Sequence, residues 1–356
     1  MFKILSVFAF FLIGFLLLGC TSPQVNTVNN SDIVLDSDFS LQLLSNEGGR
    51  VDWSHSNNLI AFDKKGSNGF YSVYTINSNG SNETCISCSI SDFKYNVGNP
   101  AWHPNGKYLI IQVQTKKSNI FSNLSNPGKG VSNDLFLIDS TGTHFWQLTN
   151  LSKSRYFYGV LHPHFSHDGN KIVWSELQSL NTWALKVADL YFDNGTPKLQ
   201  NIKTYQPGDT ARFYESHGFT LNDSAIIFSG TPYKSQSTWG NDIFTLNLSN
   251  GTVVNLTNTP KKWEEHANLS PDGKTIIYMS SDNPGYFKYD LWSMNINGTN
   301  KTKLTHFHDS NSKYFFSKVS GPADSSWNKE GTKIVFYMIS DFQETSGKIY
   351  VINLKK

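Results

Sequence analysis

The sequence predicts an all-β protein in which six four-stranded blades form a closed ring, a six-bladed β-propeller. One short motif occurs six times, and an alternating strand pattern follows each copy. The composition agrees, with 14% aromatic residues, 16% charged residues and 26 Gly among 356 residues. Aromatic residues favour strands, and glycines favour the tight turns between them. Because repeats of this kind are typical of propellers, we expect one ring rather than several independent domains.

The first half of the repeat is a bulky anchor residue, a four-residue turn and an apolar strand. The anchor and the closing apolar residue lie nine positions apart in every copy. Ser-Pro-Asp-Gly, the form in the fifth copy, suits a type I turn whose fourth residue takes a positive φ. That position is Gly in four copies and Asn57 or Asp223 in the others, which also tolerate a left-handed backbone. The anchors are Trp53, Trp102, Phe165, Phe219, Leu269 and Trp327.

The second half of the repeat supplies two more strands. An alternating segment recurs from residues 72–77 in the first copy to residues 348–353 in the last, and most copies continue through a Gly turn to a strand ending in Leu-Thr. The sixth copy reaches Lys356 without that last strand. Phe39–Ser45 has the same pattern, so we expect this N-terminal strand to complete the sixth blade and close the ring.

The N-terminus predicts export and lipidation. Lys3 precedes an apolar run that is too short for an ordinary membrane span and is typical of a signal peptide. The run closes on Leu-Leu-Gly-Cys20, which resembles the bacterial lipobox, and acyl chains on Cys20 would hold the protein at a lipid bilayer. An uncleaved N-terminal segment is the alternative, and either arrangement places the propeller outside the cytoplasm, periplasmic or surface-exposed. The expected domains are the signal peptide 1–19, a lipidated tether 20–34 and the propeller 35–356.

The cysteine content and the net charge argue against several kinds of site and partner. Cys85 and Cys88 form a C-x-x-C pair, which in an exported protein is more often a small disulfide than a redox centre. A haem-attachment motif would need His where Ser89 stands, and no second pair completes a zinc site. A net charge of +2 gives no general attraction for nucleic acid, so we expect no nucleic-acid partner.

The repeat resembles the WD40-like (PD40) repeat of the TolB family. Its unit combines aromatic-Ser-Pro-Asp-Gly-x-x-Ile-x-Phe with Asp-Ile-Phe-x-Ile-Asn and Leu-Thr, over essentially residues 35–356. The resemblance implies the fold but not the ligand. Prolyl oligopeptidase-like enzymes carry similar propellers beside a hydrolase domain, but the chain has no G-x-S-x-G nucleophile motif, which argues against a serine hydrolase.

The loops that lead into the blades carry a recurring pair of residues. In a propeller these leading loops lie on one face, which we call the loop face, around the axial opening. Aromatic side chains offer flat surfaces for sugars or peptide side chains, and Arg or Lys supplies donors for carboxylates. The alternative is that such pairs only cover the blades. The five pairs are Lys94-Tyr95, Arg155-Tyr156, Arg212-Phe213, Lys262-Trp263 and Lys313-Tyr314.

A second polar set precedes the anchors by three or four residues and is expected nearer the axis. Converging His and carboxylate groups could hold a divalent metal, although a solvated polar lining is the alternative. Oligogalacturonate lyases, which resemble TolB-like propellers, bind a metal in such a place and remove a proton from a uronate ring. The candidate metal ligands are His162, His266, Glu215, Glu265 and Asp324, with Arg50, Asn99 and Ser216 at equivalent positions and His164 and His217 nearby.

Two functions follow from these features. The first is a membrane-attached, extracytoplasmic binding module that presents its loop face to a protein or glycan partner. The second is a metal-dependent polysaccharide lyase of the oligogalacturonate type, with His162, His266 and Glu265 as ligands and Arg212 stabilising the substrate carboxylate. A scaffold that uses the propeller rim remains a third possibility.

Overall fold

The computed structural model describes residues 39–117, 122–151, 157–237, 240–281, 288–317, 321–339 and 347–355. Cys20, Arg155 and Tyr156 lie outside these residues. Six antiparallel sheets of four strands form the ring, which confirms the predicted fold class. The first strands of neighbouring blades contact one another around the axis. Among the described residues no helix has the length and apolar character needed to cross a membrane.

Each blade runs from an innermost to an outermost strand. Blade one contains β2 (Val51–Trp53), β3 (Leu59–Lys65), β4 (Tyr71–Asn77) and β5 (Thr84–Cys85), and blade two contains β6 (Val97–Trp102), β7 (Tyr108–Gln114), β8 (Asn133–Asp139) and β9 (Phe145–Gln147). Blade three contains β10 (Gly159–Phe165), β11 (Lys171–Ser179), β12 (Thr182–Asp193) and β13 (Thr196–Tyr205), and blade four contains β14 (Tyr214–Phe219), β15 (Ala225–Gly230), β16 (Asp242–Asn247) and β17 (Val253–Asn255). Blade five contains β18 (Glu264–Leu269), β19 (Thr275–Ser281), β20 (Tyr289–Asn295) and β21 (Thr302–Lys303). Blade six contains β22 (Gly321–Trp327), β23 (Lys333–Ile339), β24 (Gly347–Leu354) and β1 (Phe39–Ser45), and a 3₁₀ helix spans Ser122–Ser125 between β7 and β8.

The predicted N-terminal strand closes the ring. β1 pairs antiparallel with β24, from Phe39 opposite Leu354 to Ser45 opposite Ile349. Phe39 is buried and stacks on Tyr314, with ring centroids 5.1 Å apart. The two chain ends therefore share one sheet, and β24 has no unpaired edge.

The turn between the first two strands follows the predicted chemistry in five blades. In blade five the Ser270 hydroxyl donates to Asp272 Oδ1 at 2.7 Å, and Gly273 takes a φ of 71°. Asp223 takes the same left-handed conformation with a φ of 54°. Blade one differs, because Asn58 rather than Asn57 is left-handed, with a φ of 59°. The turn is one residue wider there, since Asn58 N donates to Ser54 O at 3.1 Å.

The recurring Asp and Thr of the repeat bind each other across the outer strands. In blade five the Thr305 hydroxyl donates to Asp290 Oδ1 at 2.9 Å and accepts from Leu291 N at 3.0 Å. Thr149 and Thr257 make the same two hydrogen bonds in blades two and four. The threonine of the Leu-Thr ending therefore stabilises the blade through hydrogen bonds, which accounts for the motif structurally.

The core lies between neighbouring blades rather than at a single centre. The cluster between blades two and three, for example, packs Ile110 and Leu135 against Phe165 and Trp174. Turns also link blades opposite the loop face, where His167 N donates to Asp223 Oδ1 at 3.0 Å. Each blade thus depends on its neighbours for burial, which suits a closed ring.

Cys85 and Cys88 are joined by a disulfide in the structure. The bond lies at the end of β5, the outermost strand of blade one, where Cys88 is exposed and Cys85 is half-buried. It closes a short loop on the outside of the ring, so the pair has a structural position away from the axis.

Candidate functional site

The innermost strands of four blades place a polar side chain at the axis through an irregular backbone. In β6, β10, β18 and β22 the strand pairing shifts at a β-bulge, and one residue of each bulge has a positive φ. Asn, Asp and His are the non-glycine residues that accept this conformation most often. A bulge redirects a side chain out of the regular alternation. The residues are Asn99 with a φ of 48°, His162 with 43°, His266 with 54° and Asp324 with 29°.

His162, His266 and Glu215 converge at the centre of this arrangement. Glu215 Oε1 lies 3.6 Å from His162 Nε2 and 3.4 Å from His266 Nδ1. One ligating atom from each of the three residues lies within 4.8 Å of the other two. Three blades supply the three groups, so the cluster exists only in the assembled ring.

Asp324 adds a second carboxylate to the cluster from blade six. Its Oδ1 lies 3.4 Å from His162 Nδ1 and 3.0 Å from His266 Nδ1. Burial alone would raise the pKa of Asp324, but His266 and His162 outweigh it, so the pKa is lowered and the group is a carboxylate.

A small cavity opens beside these groups. Its volume is about 20 Å³, enough for one water molecule or ion but not for a sugar ring. Two buried polar atoms at its wall, Asn99 Nδ2 and Ser325 Oγ, have no hydrogen-bond partner among the described residues. The lining comprises Val51, Asp52, Asn99, Pro100, His162, His164, His217, His266, Ala267, Asn268, Asp324 and Ser325.

Burial favours the neutral form of three histidines in and beside the cluster, His162, His164 and His217. It lowers the pKa of His162 to about 3, although Asp324 acts in the opposite direction. It also lowers the pKa values of His164 and His217, the latter with a further contribution from His162. Neutral imidazoles have a lone pair available, which is the form that binds a metal ion.

Neighbouring hydroxyl groups hold the cluster in place. The Ser216 hydroxyl donates to His162 O at 2.6 Å and so supports the strained backbone of the bulge. His217 Nε2 lies 2.9 Å from Ser229 Oγ, which turns His217 Nδ1 toward Glu215 Oε1 at 3.9 Å. The site is therefore organised before any ligand binds.

Comparisons with known proteins address the fold. No protein-family model matches the chain, and no curated protein sequence matches it. TolB from Acinetobacter baumannii is similar, with a TM-score of 0.53, 16% identity and coverage of 88% of this chain and 66% of that one. A putative TolB from Agrobacterium tumefaciens has a TM-score of 0.54, 12% identity and coverage of 90% and 98%.

The chain has the fold of a TolB-like six-bladed β-propeller.

A third solved structure, an oligogalacturonate lyase in complex with manganese, has a TM-score of 0.50, 10% identity and coverage of 90% of this chain and 94% of that one. At these identities the likeness of the chain to all three concerns the fold alone. The chain spans slightly less than two thirds of the length of the Acinetobacter TolB, at 66%.

The chain uses the aromatic members of the described pairs for packing. Tyr95 meets Phe70 edge to face at 5.7 Å, and Phe213 meets Trp183 at 6.1 Å. Tyr314 stacks on Phe39 of the outermost strand. None of these aromatic residues lines the axial cavity.

The basic members of the pairs are less uniform. Lys94 and Lys313 are exposed, and Lys262 is half-buried. The ammonium group of Lys262 lies 4.9 Å from the ring centre of Trp292, and that of Lys313 lies 4.9 Å from the ring centre of Tyr314. Arg212 Nη2 donates to Tyr233 O at 3.1 Å, and its buried Nε has no hydrogen-bond partner within the described part of the chain. The described pairs are thus spread over the blade tops rather than gathered at the axis.

The pair in blade five is connected to the axial cluster. Trp263 Nε1 donates to Glu265 Oε2 at 2.8 Å, and the same oxygen lies 3.7 Å from His266 Nε2. Both residues were candidates from the sequence, but on different grounds and without a predicted contact between them.

Four positions in the polar set do not line the cavity: Glu215 and Glu265, which contact the histidines of the cluster, and Arg50 and Ser216. Arg50 turns outward to Asp63, with Nε 2.7 Å from Oδ2 and Nη2 2.6 Å from Oδ1. Ser216 supports His162 instead. Asp52, Asn268 and Ser325 do line the cavity, yet sequence reasoning missed them, because it considered the positions three and four residues before each anchor and these lie one or two residues before it.

Proposed function

We propose that the chain is an extracytoplasmic binding module that takes a protein or glycan partner on its loop face, with the axial cluster as the specific contact point. The observation that carries the proposal is the convergence of His162, Glu215 and His266 from three blades. Positive-φ residues cost free energy and persist where the surrounding structure enforces them, frequently at functional sites. A lining needed only for solvation would not require such residues in four of the six innermost strands.

The donor set fits a divalent metal ion. His162 Nε2, His266 Nδ1 and Glu215 Oε1 would hold it, and donors bound at about 2.0–2.2 Å lie roughly 3–3.5 Å apart, close to the distances of 3.4 and 3.6 Å found here. Asp324 would accept the proton on His162 Nδ1 and balance the charge. Nitrogen and carboxylate donors together suit zinc or manganese. A bound ion would supply a fixed positive charge with an open position for a carboxylate or hydroxyl group of the partner.

The size of the cavity limits what can enter it. At about 20 Å³ it admits one ion or water, and we propose that the rest of the partner lies on the loop face. Lys94 and Lys313 are exposed there and could contact acidic groups. Arg155 and Tyr156 belong to the same expected surface. Membrane attachment through Cys20, in the periplasm or at the cell surface, completes the proposal.

Metal binding is the first test. The purified chain, stripped with a chelator, is titrated calorimetrically with Zn²⁺ and Mn²⁺. We expect one ion to bind, and His266→Ala or Glu215→Gln to weaken binding by more than about 100-fold, beyond the effect of an outer-shell change. His144→Ala, at an exposed imidazole paired with Asp139, is the control and should bind as the parent does. Absence of ion binding by the parent would contradict the metal site.

Partner binding is the second test, by pull-down from envelope extracts and by glycan array. Arg155→Ala, Arg212→Ala and Trp263→Ala should each reduce binding if the loop face makes the contact. Lys198→Ala is the control, since Lys198 on the outermost strand of blade three pairs with Asp193 at the end of the neighbouring strand β12. Binding that survives all three loop-face changes would move the partner to another surface.

Attachment to the membrane is tested separately. Cys20→Ser should abolish incorporation of labelled fatty acid and release the protein to the soluble envelope fraction. Cys85→Ser, which removes only the disulfide on the outside of the ring, should still be lipidated. A Cys20→Ser protein that remains with the membrane would contradict lipid attachment.

A metal-dependent polysaccharide lyase is the second candidate, favoured by the metal-binding geometry together with the fold likeness to an oligogalacturonate lyase structure in complex with manganese. The test is incubation with pectic oligomers and Mn²⁺, followed by absorbance of the unsaturated uronate product. The expected lyase signal disappears in His162→Ala. An unchanged absorbance with the metal-loaded parent would end this candidate. Arg212, proposed as the charge stabiliser, does not line the axial cavity.

A further inference from the structure

We infer that Glu265 is a positioning residue for His266, held by Trp263, and not a metal ligand. The inference rests on the proposed metal site and assigns a role to the one pair among the described leading loops that reaches the axis. It replaces the expectation from sequence that Glu265 binds the ion directly.

The two nitrogens of His266 face different groups. Nδ1 faces Glu215 Oε1 at 3.4 Å and Asp324 Oδ1 at 3.0 Å, whereas Nε2 faces Glu265 Oε2 at 3.7 Å. The lone pairs of an imidazole diverge, so an ion on Nδ1 lies on the side of the ring away from Glu265. Glu265 therefore cannot share that ion with His266.

Glu265 is placed to accept the proton of His266 Nε2. A carboxylate behind a ligating histidine fixes the tautomer, so that the nitrogen facing the ion keeps its lone pair. The 3.7 Å separation is longer than a hydrogen bond, and a small rotation of the imidazole would close it. The same arrangement recurs at His162, whose Nδ1 faces Asp324 at 3.4 Å.

Trp263 fixes the carboxylate of Glu265. Its indole N–H donates to Glu265 Oε2 at 2.8 Å, and its backbone N–H donates to Ser281 Oγ at 3.1 Å. Glu265 is 9% exposed, so few other donors can reach its carboxylate. The order Trp263, Glu265, His266 thus leads from the loop face to the axial cluster.

Blade three provides a matched control. There Trp174 Nε1 donates to Glu176 Oε2 at 3.0 Å, the same pair of groups two residues apart. Glu176 is buried like Glu265, and its Oε1 lies 3.7 Å from Lys186 Nζ rather than from a histidine. Glu176→Gln therefore removes an equivalent buried charge outside the axial cavity.

The experiment measures Zn²⁺ affinity by chelator competition and the visible spectrum of the Co²⁺-loaded protein. Glu265→Gln should weaken Zn²⁺ binding about 10- to 100-fold, in the range of outer-shell substitutions. Trp263→Phe, which keeps a ring but loses the N–H, should weaken it in the same direction by less. Glu176→Gln should bind as the parent does. The Co²⁺ bands of Glu265→Gln should keep the parent's positions, because the coordinating atoms do not change.

Four other outcomes would overturn the inference. Co²⁺ bands that shift in Glu265→Gln would make Glu265 a ligand and overturn the inference. Unchanged Zn²⁺ affinity in Glu265→Gln would overturn it as well, while leaving the metal site in place. A parent protein that binds neither ion would overturn the proposed metal site and this role with it. Equal losses in Glu265→Gln and Glu176→Gln would show a general effect on stability and reject a positioning role.

Discussion

Thr305 shows how single residues of the repeat act in the folded ring. Its hydroxyl lies between the carboxylate of Asp290 and the backbone N–H of Leu291, and the side chain is fully buried. Asp290 also accepts from Phe307 N at 2.7 Å. One threonine thus satisfies a buried charge and a buried donor at the same time, which a residue of similar shape without the hydroxyl cannot do.

Thr305→Val should therefore destabilise the protein by about 1–3 kcal/mol, because a buried donor and acceptor lose their shared partner. The free energy of unfolding is measured by urea denaturation. Thr302→Val is the control, since Thr302 is exposed on β21 in the same blade. Equal stabilities of the two variants would show that the hydrogen bonds of Thr305 add nothing to the free energy of unfolding.

At the scale of the element, β1 decides whether the ring closes. The strand lies beside β24 over its whole length, and its Leu44 belongs to the cluster that joins blades six and one. Without it, β24 would expose an unpaired edge together with part of two interblade clusters. In four of the innermost strands, bulges interrupt the regular pairing and turn one side chain toward the axis.

Deletion of residues 35–47 should leave blade six incomplete and lower the midpoint of thermal unfolding, because both the strand pairing and the Phe39 contact are lost. A synthetic peptide of residues 35–47, added in trans, should restore part of the stability. Deletion of residues 21–33 in the polar tether is the control. A β1 deletion that melts with the parent would refute the closure.

At the scale of the molecule, the ring buries several neutral histidines together. Burial lowers the pKa values of His103, His162, His164 and His217. Between the folded and unfolded pKa values the unfolded chain binds more protons than the folded one. This stability is fully present above the unfolded pKa near 6.5 and is lost as the pH falls toward the folded pKa, about 3 for His162.

The metal-free protein should therefore lose thermal stability steadily as the pH is lowered from about 6.5 toward 4. His103→Gln should show a shallower decline, since His103 contacts Gly169 O at 3.2 Å away from the proposed metal site. Calorimetric melting across this pH range measures both slopes, with the exposed His144→Ala as control. Identical slopes for the parent and His103→Gln would remove His103 as a source of the acid sensitivity.

The sequence determined the fold because its repeat is local. The anchor, the turn and the alternating strand act within about 30 residues, so six blades, their order and even the closing strand Phe39–Ser45 were predictable. The one turn that was wrong, at Asn57, failed because Asn58 is equally suited to a left-handed backbone and the choice depends on a single hydrogen bond.

The axial site was predictable only in part. The positions before the anchors identified His162, His266, Glu215 and Asp324 as candidates, but only the ring brings them within 3.0–3.6 Å. Asn99 and Arg50 hold equivalent positions in the repeat, yet Asn99 faces the cavity and Arg50 faces Asp63. The backbone conformation of each strand decides this direction, and it cannot be deduced from the residue type. Local interactions fix the blades, whereas the direction of each inward side chain depends on contacts between blades that are distant in the chain.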